Sequence, residues 1–147
     1  MVNIEKILEE LKILPEFGDN DQIMLQTVEG QIDPFYGIGR LEKLNHTEDE
    51  FKHPIFDMPY TNGILKDLKM FRTRVMKMPS RRCYSYHKDP SKRMHIPLIT
   101  NENCFFVLDD EVVRLPADGN HYIIDTTKMH TFVNASLEER IHIVGCI

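Results

Sequence analysis

The sequence lacks the features that place a protein in a membrane or in an oxidising compartment. No apolar run in its 147 residues approaches the roughly 20 residues that cross a bilayer. Residues 1–5 carry neither the basic segment nor the cleavage site of a secretory signal. The three cysteines, Cys83, Cys104 and Cys146, are odd in number and show no CxxC spacing, which argues against a disulfide framework and a zinc knuckle. We therefore expect reduced, mostly buried thiols in a cytoplasmic protein.

An excess of positive charge is also missing. The formal net charge is -5 and the pI is near 5.8, so the chain has no general attraction for a polyanion. Nucleic acid is therefore disfavoured as a partner. A local basic cluster is the exception, and it hints at an acidic ligand. The cluster consists of Arg72, Arg74, Lys77, Arg81 and Arg82.

The chain is predicted to form one domain over residues 1–147, because 41% hydrophobic residues at this length suffice for one core. Residues 1–70 read as a helical and loop-rich arm. Apolar residues at i, i+3, i+4 and i+7 predict an amphipathic helix over 3–14, which begins at a capping asparagine and ends before a proline. A strand-like run covers 22–28, and 62–70 is predicted to be a short second helix.

After residue 70 the pattern becomes that of an all-β protein. Short apolar or alternating runs are separated by turn residues such as Pro-Ser, Asn-Glu-Asn and Asp-Gly. The predicted strands are 71–78, 82–87, 94–100, 103–108, 111–115, 120–125, 129–134 and 139–146. About eight closely spaced strands are typical of a double-stranded β-helix, the jelly roll of cupins. We predict such a jelly-roll core over residues 71–147.

His87 and Asp89, followed at a distance by His130, are the residues that carry most chemical information. Two imidazoles and one carboxylate on one face of a metal form the facial triad of non-haem Fe(II) oxygenases. We expect the pair to lie at the end of one strand, with Ser85 on the same face, and His130 to come from a distant strand. The alternative is a surface hydrogen-bonded pair, which is the more common meaning of an isolated His-x-Asp.

Arg140 lies at the start of an otherwise apolar final strand, ten residues beyond His130. A guanidinium that faces the inside of a barrel needs an anionic partner, and its bidentate fork fits one end of a dicarboxylate. Together with the triad it suggests Fe(II) and 2-oxoglutarate as cofactors. The alternatives for Arg140 are an internal ion pair with a buried carboxylate, or an exposed strand start.

Arg93 and His95 lie on one face of another apolar strand. We predict that they contact the co-substrate or the substrate, and we include Ser85 among the co-substrate contacts. A buried His95 that merely satisfies a backbone carbonyl is the alternative. His142 alternates in register with Arg140 and is a weaker candidate.

The residues around these positions resemble the aspartyl/asparaginyl β-hydroxylase family of 2-oxoglutarate dioxygenases. The resemblance covers residues 71–147 and keeps the order of the family's motifs. It is carried by the segments 83–98, 125–130, 134–136 and 140–144, which begin with Cys-Tyr-Ser-Tyr-His, Asp-Thr-Thr-Lys-Met-His, Asn-Ala-Ser and Arg-Ile-His. The resemblance implies iron ligands at His87 and His130, a 2-oxoglutarate carboxylate on Arg140, and ligand contacts by Arg93 and His95.

Asp89 marks a difference within that resemblance. Vertebrate members that hydroxylate proteins have glycine at this position, whereas relatives that hydroxylate free proline keep the carboxylate. This chain therefore resembles the branch with a full triad, and the family name does not fix the substrate.

The expected function is hydroxylation of a C–H bond in an amino acid, an amino-acid derivative or a peptide side chain, with 2-oxoglutarate converted to succinate and CO2. The partner is accordingly a small-molecule or peptide substrate. One alternative is a non-catalytic cupin-like module that binds a metal or a small acidic metabolite. Another is a metal-dependent enzyme of a different reaction type on the same barrel. The sequence indicates neither the position hydroxylated nor the oligomeric state.

Overall fold

The computed structural model describes residues 1–147 as a mainly β chain with two short helices. The helices are α1 (Ile4–Glu10) and α2 (Pro59–Asp67). The strands are β1 (Gln22–Met24), β2 (Gln26–Thr27), β3 (His53–Pro54), β4 (Phe71–Met78), β5 (Arg82–Cys83), β6 (Arg93–Ile99), β7 (Cys104–Leu108), β8 (Glu111–Val113), β9 (Tyr122–Ile124), β10 (His130–Asn134) and β11 (Arg140–Cys146). Two 3-10 turns lie at Leu11–Ile13 and Glu48–Glu50.

Two antiparallel sheets form the body of the molecule. The large sheet has 5 strands in the order β1-β4-β11-β6-β9, and the small sheet has 4 in the order β5-β10-β7-β8. β2 and β3 form a separate 2-stranded ribbon. From β4 onward, successive strands mostly alternate between the two sheets, so that strands distant in sequence become neighbours, as in a cupin-like double-stranded β-helix. The predicted fold class is therefore confirmed, and each of the eight predicted runs after residue 70 contains a strand.

The two faces of the large sheet pack against different parts of the molecule. Its outer face carries Val75, Ile96 and Ile143, which pack with Ile7 of α1 and Leu65 of α2 in the main core. Its inner face meets the small sheet in a second cluster. That cluster contains Met78, Cys104, Phe106, Leu115, Ile124 and Phe132. The helices thus cover one side of the large sheet and leave the other side for the barrel interior.

The two helices follow local sequence rules, with one shift. The Asn3 side chain caps α1 by accepting a hydrogen bond from the Lys6 amide at 3.1 Å. The second helix spans 59–67, earlier than the predicted 62–70. Pro59 occupies the first helical turn, where its missing N–H costs nothing, and Lys69 adopts a positive φ of 55° that ends the helix.

The strand alternation predicted for 82–87 is wrong. Cys83 pairs with Val133 and the Tyr84 amide donates to the Phe132 carbonyl, but the next pair joins His87 to His130. Two residues on one strand therefore oppose one on the other, which is a β-bulge. The bulge places Cys83 and His87 on opposite faces, and Cys83 is exposed.

The N-terminal arm contributes a strand to the large sheet and also packs over that sheet. Its strand β1 pairs with β4 and forms an edge of the large sheet. Gln26 fastens the chain after β1, because its side chain donates to the Met70 carbonyl and accepts from the Thr73 amide. Neither helix has the length and continuous apolar character that a bilayer-crossing segment requires.

Candidate metal centre

His87, Asp89 and His130 converge on one point. Their possible ligand atoms all lie within 4.8 Å of one another. His87 Nε2 is 3.6 Å from Asp89 Oδ1, and His130 Nε2 is 3.4 Å from Asp89 Oδ2. The two histidines are held opposite each other by backbone hydrogen bonds of 2.9 Å in both directions. The three side chains therefore meet as the sequence pattern predicts, and their role as metal ligands stays a prediction.

The tautomer of both histidines suits a metal. His87 Nδ1 is 2.6 Å from the Ser85 carbonyl, and His130 Nδ1 is 2.9 Å from the Lys128 carbonyl. Because a carbonyl only accepts, Nδ1 carries the proton in each ring and Nε2 keeps its lone pair. Two nitrogen lone pairs then face the negatively charged Asp89 carboxylate. Because these groups repel one another, a cation is needed between the nitrogens and the carboxylate. Two imidazole nitrogens and one carboxylate are a donor set that fits a divalent transition metal.

Without a metal, a proton serves as that cation. Burial by itself lowers the pKa of His130, but hydrogen bonding to Asp89 and to the Lys128 carbonyl outweighs it, and the pKa is raised. Burial raises the pKa of Asp89, but the His130 hydrogen bond and the charge of Arg93 outweigh that effect, and the pKa is lowered. Metal and proton therefore compete for the same atoms.

Arg140 lies inside the barrel without an anionic partner. It is 2% exposed, and its Nε and one terminal nitrogen have no hydrogen-bond partner. Its guanidinium stacks over the Phe132 ring with its central carbon 4.1 Å from the ring centroid. Burial lowers its pKa to about 10, a shift that the Tyr84 phenol partly offsets. Both alternatives from the sequence, an internal ion pair and an exposed strand start, are absent.

His95 and His142 form a buried pair inside the barrel, against the rings of Phe106 and Phe132. Their Nδ1 atoms are 3.1 Å apart. Burial and the charge of Arg140 hold the pKa of each well below its ordinary value, so both are neutral and one donates to the other. His95 thus bonds to a side chain, in contrast to the backbone carbonyl that was its sequence alternative.

Arg93 sits beside the triad, and a residue of the arm binds it. One terminal nitrogen lies 2.9 Å from Glu48 Oε2, and Nε lies 3.8 Å from Asp89 Oδ2. Glu48 also accepts from Arg72 at 3.0 Å and from the Ser91 hydroxyl at 2.8 Å. Sequence reasoning missed Glu48, because nothing in the acidic segment around it indicates which carboxylate turns inward.

Comparison with known proteins identifies the family. Residues 3–145 match the sequence model of the family described as aspartyl/asparaginyl beta-hydroxylase. The chain belongs to this family. The match reaches into the arm, whereas the motifs that carry the resemblance in the sequence begin only after residue 70. A candidate metal site inside a hydroxylase-family barrel is therefore supported by the sequence match and by the geometry.

Solved structures resemble parts of the chain. The DMSP lyase DddQ of Ruegeria pomeroyi is 18% identical with a TM-score of 0.42, over 50% of this chain and 36% of the lyase. A predicted oxalate decarboxylase of Thermotoga maritima is 18% identical with a TM-score of 0.44, over 57% of this chain and 71% of that one. A cupin superfamily protein of Desulfitobacterium hafniense is 8% identical with a TM-score of 0.42, over 52% and 65%. The chain spans little more than a third of the lyase's length. No curated protein matches the chain.

In this member of the hydroxylase family, the basic cluster predicted from the sequence is not a surface patch. Arg72 and Arg74 are buried, whereas Arg81 and Arg82 are exposed. The Arg72 side chain binds Glu48 and the carbonyls of Gly37 and Gly39. The cluster is therefore divided between the barrel and solvent, and it gives no continuous surface for an acidic partner.

Ser85 and Tyr84 lie on the faces opposite to those that simple alternation predicts. Ser85 lies in the bulge and is exposed, and its carbonyl orients His87. A co-substrate contact by its side chain stays a prediction. Tyr84 is opposite Phe132, and its phenol partly offsets the lowering of the Arg140 pKa by burial. No sequence signal indicated that Tyr84 and Arg140 are close.

A cavity of about 520 Å³ lies away from the triad. It is lined by α2, by the segment between the ribbon strands and by the start of β4, with Lys52, Lys66 and Lys69 around it. None of the predicted site residues contributes to its wall. The chemistry-bearing side chains are therefore inside the barrel, and this outer cavity is separate from them.

Proposed function

We propose that this hydroxylase-family protein is an Fe(II)/2-oxoglutarate-dependent dioxygenase that hydroxylates a C–H bond of an amino acid, an amino-acid derivative or a peptide side chain. The observation that carries the proposal is the pairing of two unsatisfied groups in one barrel. The triad presents two histidine lone pairs and a carboxylate to one point, and Arg140 has buried N–H groups without a partner. A metal chelated by a dicarboxylate satisfies both.

His87, Asp89 and His130 would hold Fe(II), which prefers two histidines and one carboxylate with the remaining positions open. The iron, with 2-oxoglutarate and O2, supplies the oxidising chemistry: one oxygen atom enters the substrate C–H bond and the other enters succinate, with release of CO2. The Arg140 guanidinium would bind the far carboxylate of 2-oxoglutarate through a bidentate fork.

The neighbouring residues would orient the co-substrate and exclude water. The His95–His142 pair and the rings of Phe106 and Phe132 form a continuous wall, with ring centroids 4.7 to 5.7 Å apart. Such a wall strengthens electrostatic attraction between Arg140 and a carboxylate by keeping the local dielectric low. Contacts of Arg93, His95 and Ser85 with the co-substrate belong to the same proposal.

Anaerobic titration with Fe(II) and 2-oxoglutarate tests the proposal. We expect a visible metal-to-ligand charge-transfer band that requires both components, because it arises only when 2-oxoglutarate chelates the iron. His130→Ala should lose the band, and the exposed His53→Ala should keep it. Bound iron without a band would instead favour the non-catalytic cupin-like module.

A further inference from the structure

Arg74 is a second buried guanidinium that the proposed function does not use. It lies on β4 opposite Val144 of β11, and Val144 is opposite His95 of β6. Residues paired across antiparallel strands project from the same face. Arg74 therefore projects from the inner face of the large sheet together with Arg140 and His95, whereas its neighbour Val75 packs in the outer core.

The polar groups of Arg74 are largely unsatisfied. The residue is 7% exposed, and its Nε has no hydrogen-bond partner. Its one side-chain hydrogen bond runs from a terminal nitrogen to Gln22 Oε1 at 3.3 Å. It takes part in none of the ion pairs in the structure, unlike Arg72 and Arg93. A buried guanidinium in this state is costly unless an anion joins it.

The anions of the interior are already committed. Glu48 binds both Arg72 and Arg93, and Asp89 faces the two histidines. Arg74 and Arg140 are left uncompensated, and a bound divalent metal adds further positive charge. The interior therefore requires more than one anionic group from the ligands that enter it.

The backbone positions of Arg74 and Arg140 are well separated along the large sheet, and this separation assigns the two side chains to different anions. Arg140 is opposite Met78, which is four residues from Arg74 on the same strand, a separation of about 13 Å at roughly 3.3 Å per residue. Arg74 lies nearer the metal end, because the strand pairing places it across β11 from His95, two residues from Arg93, whose Nε is 3.8 Å from Asp89 Oδ2. A dicarboxylate that chelates the metal and extends to Arg140 has no further carboxylate for Arg74.

We propose that Arg74, with Gln22 beside it, binds the carboxylate of the substrate, so that the substrate is a small carboxylic acid of the free amino acid class. The inference rests on the proposed function, because the co-substrate must occupy Arg140. A residue with an uncharged side chain inside a peptide chain has its main-chain carboxyl group blocked as an amide and leaves Arg74 without its anion. Arg74 thereby selects the free acid.

Side-chain NMR tests the site without any turnover. The protein is loaded with Zn²⁺ and 2-oxoglutarate, and the Nε–H signals of the buried arginines are assigned from Arg74→Gln and Arg140→Met. We expect acetate to shift the Arg74 signal downfield, because a carboxylate accepts a hydrogen bond from Nε, and we expect acetamide to leave it in place. An Arg74 signal that acetate does not move, or that both probes move equally, overturns the proposal.

Substrate screening is the second test. Consumption of 2-oxoglutarate is measured with common L-amino acids and with their primary amides. We expect at least one acid to stimulate consumption tenfold or more over its amide. Arg74→Gln should abolish the preference, Arg74→Lys should restore part of it, and the exposed Arg82→Gln should keep it in full.

The outcomes separate this inference from the proposed function. Equal stimulation by acids and amides overturns the role of Arg74 while 2-oxoglutarate consumption still supports the dioxygenase. If no charge-transfer band forms, the dioxygenase fails, and the Arg74 signal alone still decides whether a carboxylate binds there.

Discussion

At the scale of single residues, the interior of this barrel is unusual in holding buried charge without compensation. A protein that only had to fold would replace Arg140 by an apolar side chain, because an unpaired buried cation is costly. The Phe132 ring recovers part of that cost through a cation–π contact at 4.1 Å. Binding of the proposed anion would remove the remaining cost, and Arg140 would then link stability to ligand binding.

We predict that Arg140→Met separates stability from function. The free energy of unfolding should stay the same or rise, because methionine fills the space without a buried charge. The dissociation constant for 2-oxoglutarate should rise by more than about 30-fold, the equivalent of roughly 2 kcal/mol. Urea denaturation and calorimetric titration measure the two quantities.

Iron affinity is the internal control for Arg140→Met. Since Arg140 contacts no triad residue, Fe(II) binding should change by less than about threefold, well under 1 kcal/mol. Equal losses of iron and 2-oxoglutarate would contradict the role assigned to Arg140.

At the scale of elements, one irregularity decides where the site lies. A regular ladder from Cys83 onward would place Tyr86, not His87, opposite His130. The bulge adds one residue and turns His87 to the buried face. Alternation from the sequence correctly indicated that His87 and His130 meet, but for the wrong reason, because it assumed a continuous strand.

Asn134 is the second element-scale feature, since it closes the barrel at the end of β10. Its Nδ2 donates to the Met78 carbonyl of the large sheet at 3.0 Å and to the Glu138 carbonyl at 2.8 Å. Its Oδ1 accepts from the Ser136 amide at 3.0 Å and hydroxyl at 2.7 Å. The side chain is fully buried, so one amide connects both sheets and the turn before β11.

We predict that Asn134→Ala lowers the free energy of unfolding by about 3 kcal/mol, because several buried partners lose their hydrogen bonds at once. Urea denaturation at neutral pH measures the loss. The exposed Asn120→Ala is the matched control and should change stability by less than about 0.5 kcal/mol. A loss no larger than that of the control would show that Asn134 does not hold the sheets together.

At the scale of the whole molecule, Glu48 connects the N-terminal arm to the metal end of the barrel. It accepts hydrogen bonds from Arg72, Arg93 and Ser91, and its side chain is 15% exposed. Burial raises its pKa, but the Ser91 hydrogen bond and the charge of Arg93 outweigh burial, and the pKa is lowered. The arm is thus fastened by an ion-pair network in addition to apolar packing.

We predict that this network makes stability fall in acid. A carboxyl whose folded pKa is lowered stabilises the protein fully above its unfolded pKa of about 4.3, and that contribution is lost as the pH falls through the folded value. Glu48→Gln should therefore lower the free energy of unfolding by about 3 kcal/mol at pH 7, by leaving two buried guanidiniums without their anion. The variant should also show a shallower loss of stability below pH 4.5 than the unaltered protein.

Denaturation curves at neutral and acidic pH check this prediction. Glu42→Gln, an exposed change of the same chemistry in the same arm, should follow the unaltered protein. Parallel pH curves for the Glu48 variant and the unaltered protein would contradict the role of Glu48 in acid sensitivity.

The sequence by itself determined the fold class, the strand positions after residue 70, and the ligand types at His87, Asp89 and His130, because apolar runs, turn residues and side-chain chemistry are local properties of the chain. Only the tertiary structure decided the rest. Glu48 turns inward and Arg74 stands unpaired because of the pairing of strands and the folding of the arm over the barrel. Those outcomes depend on which side chains compete for the same buried space, and no local pattern records that competition.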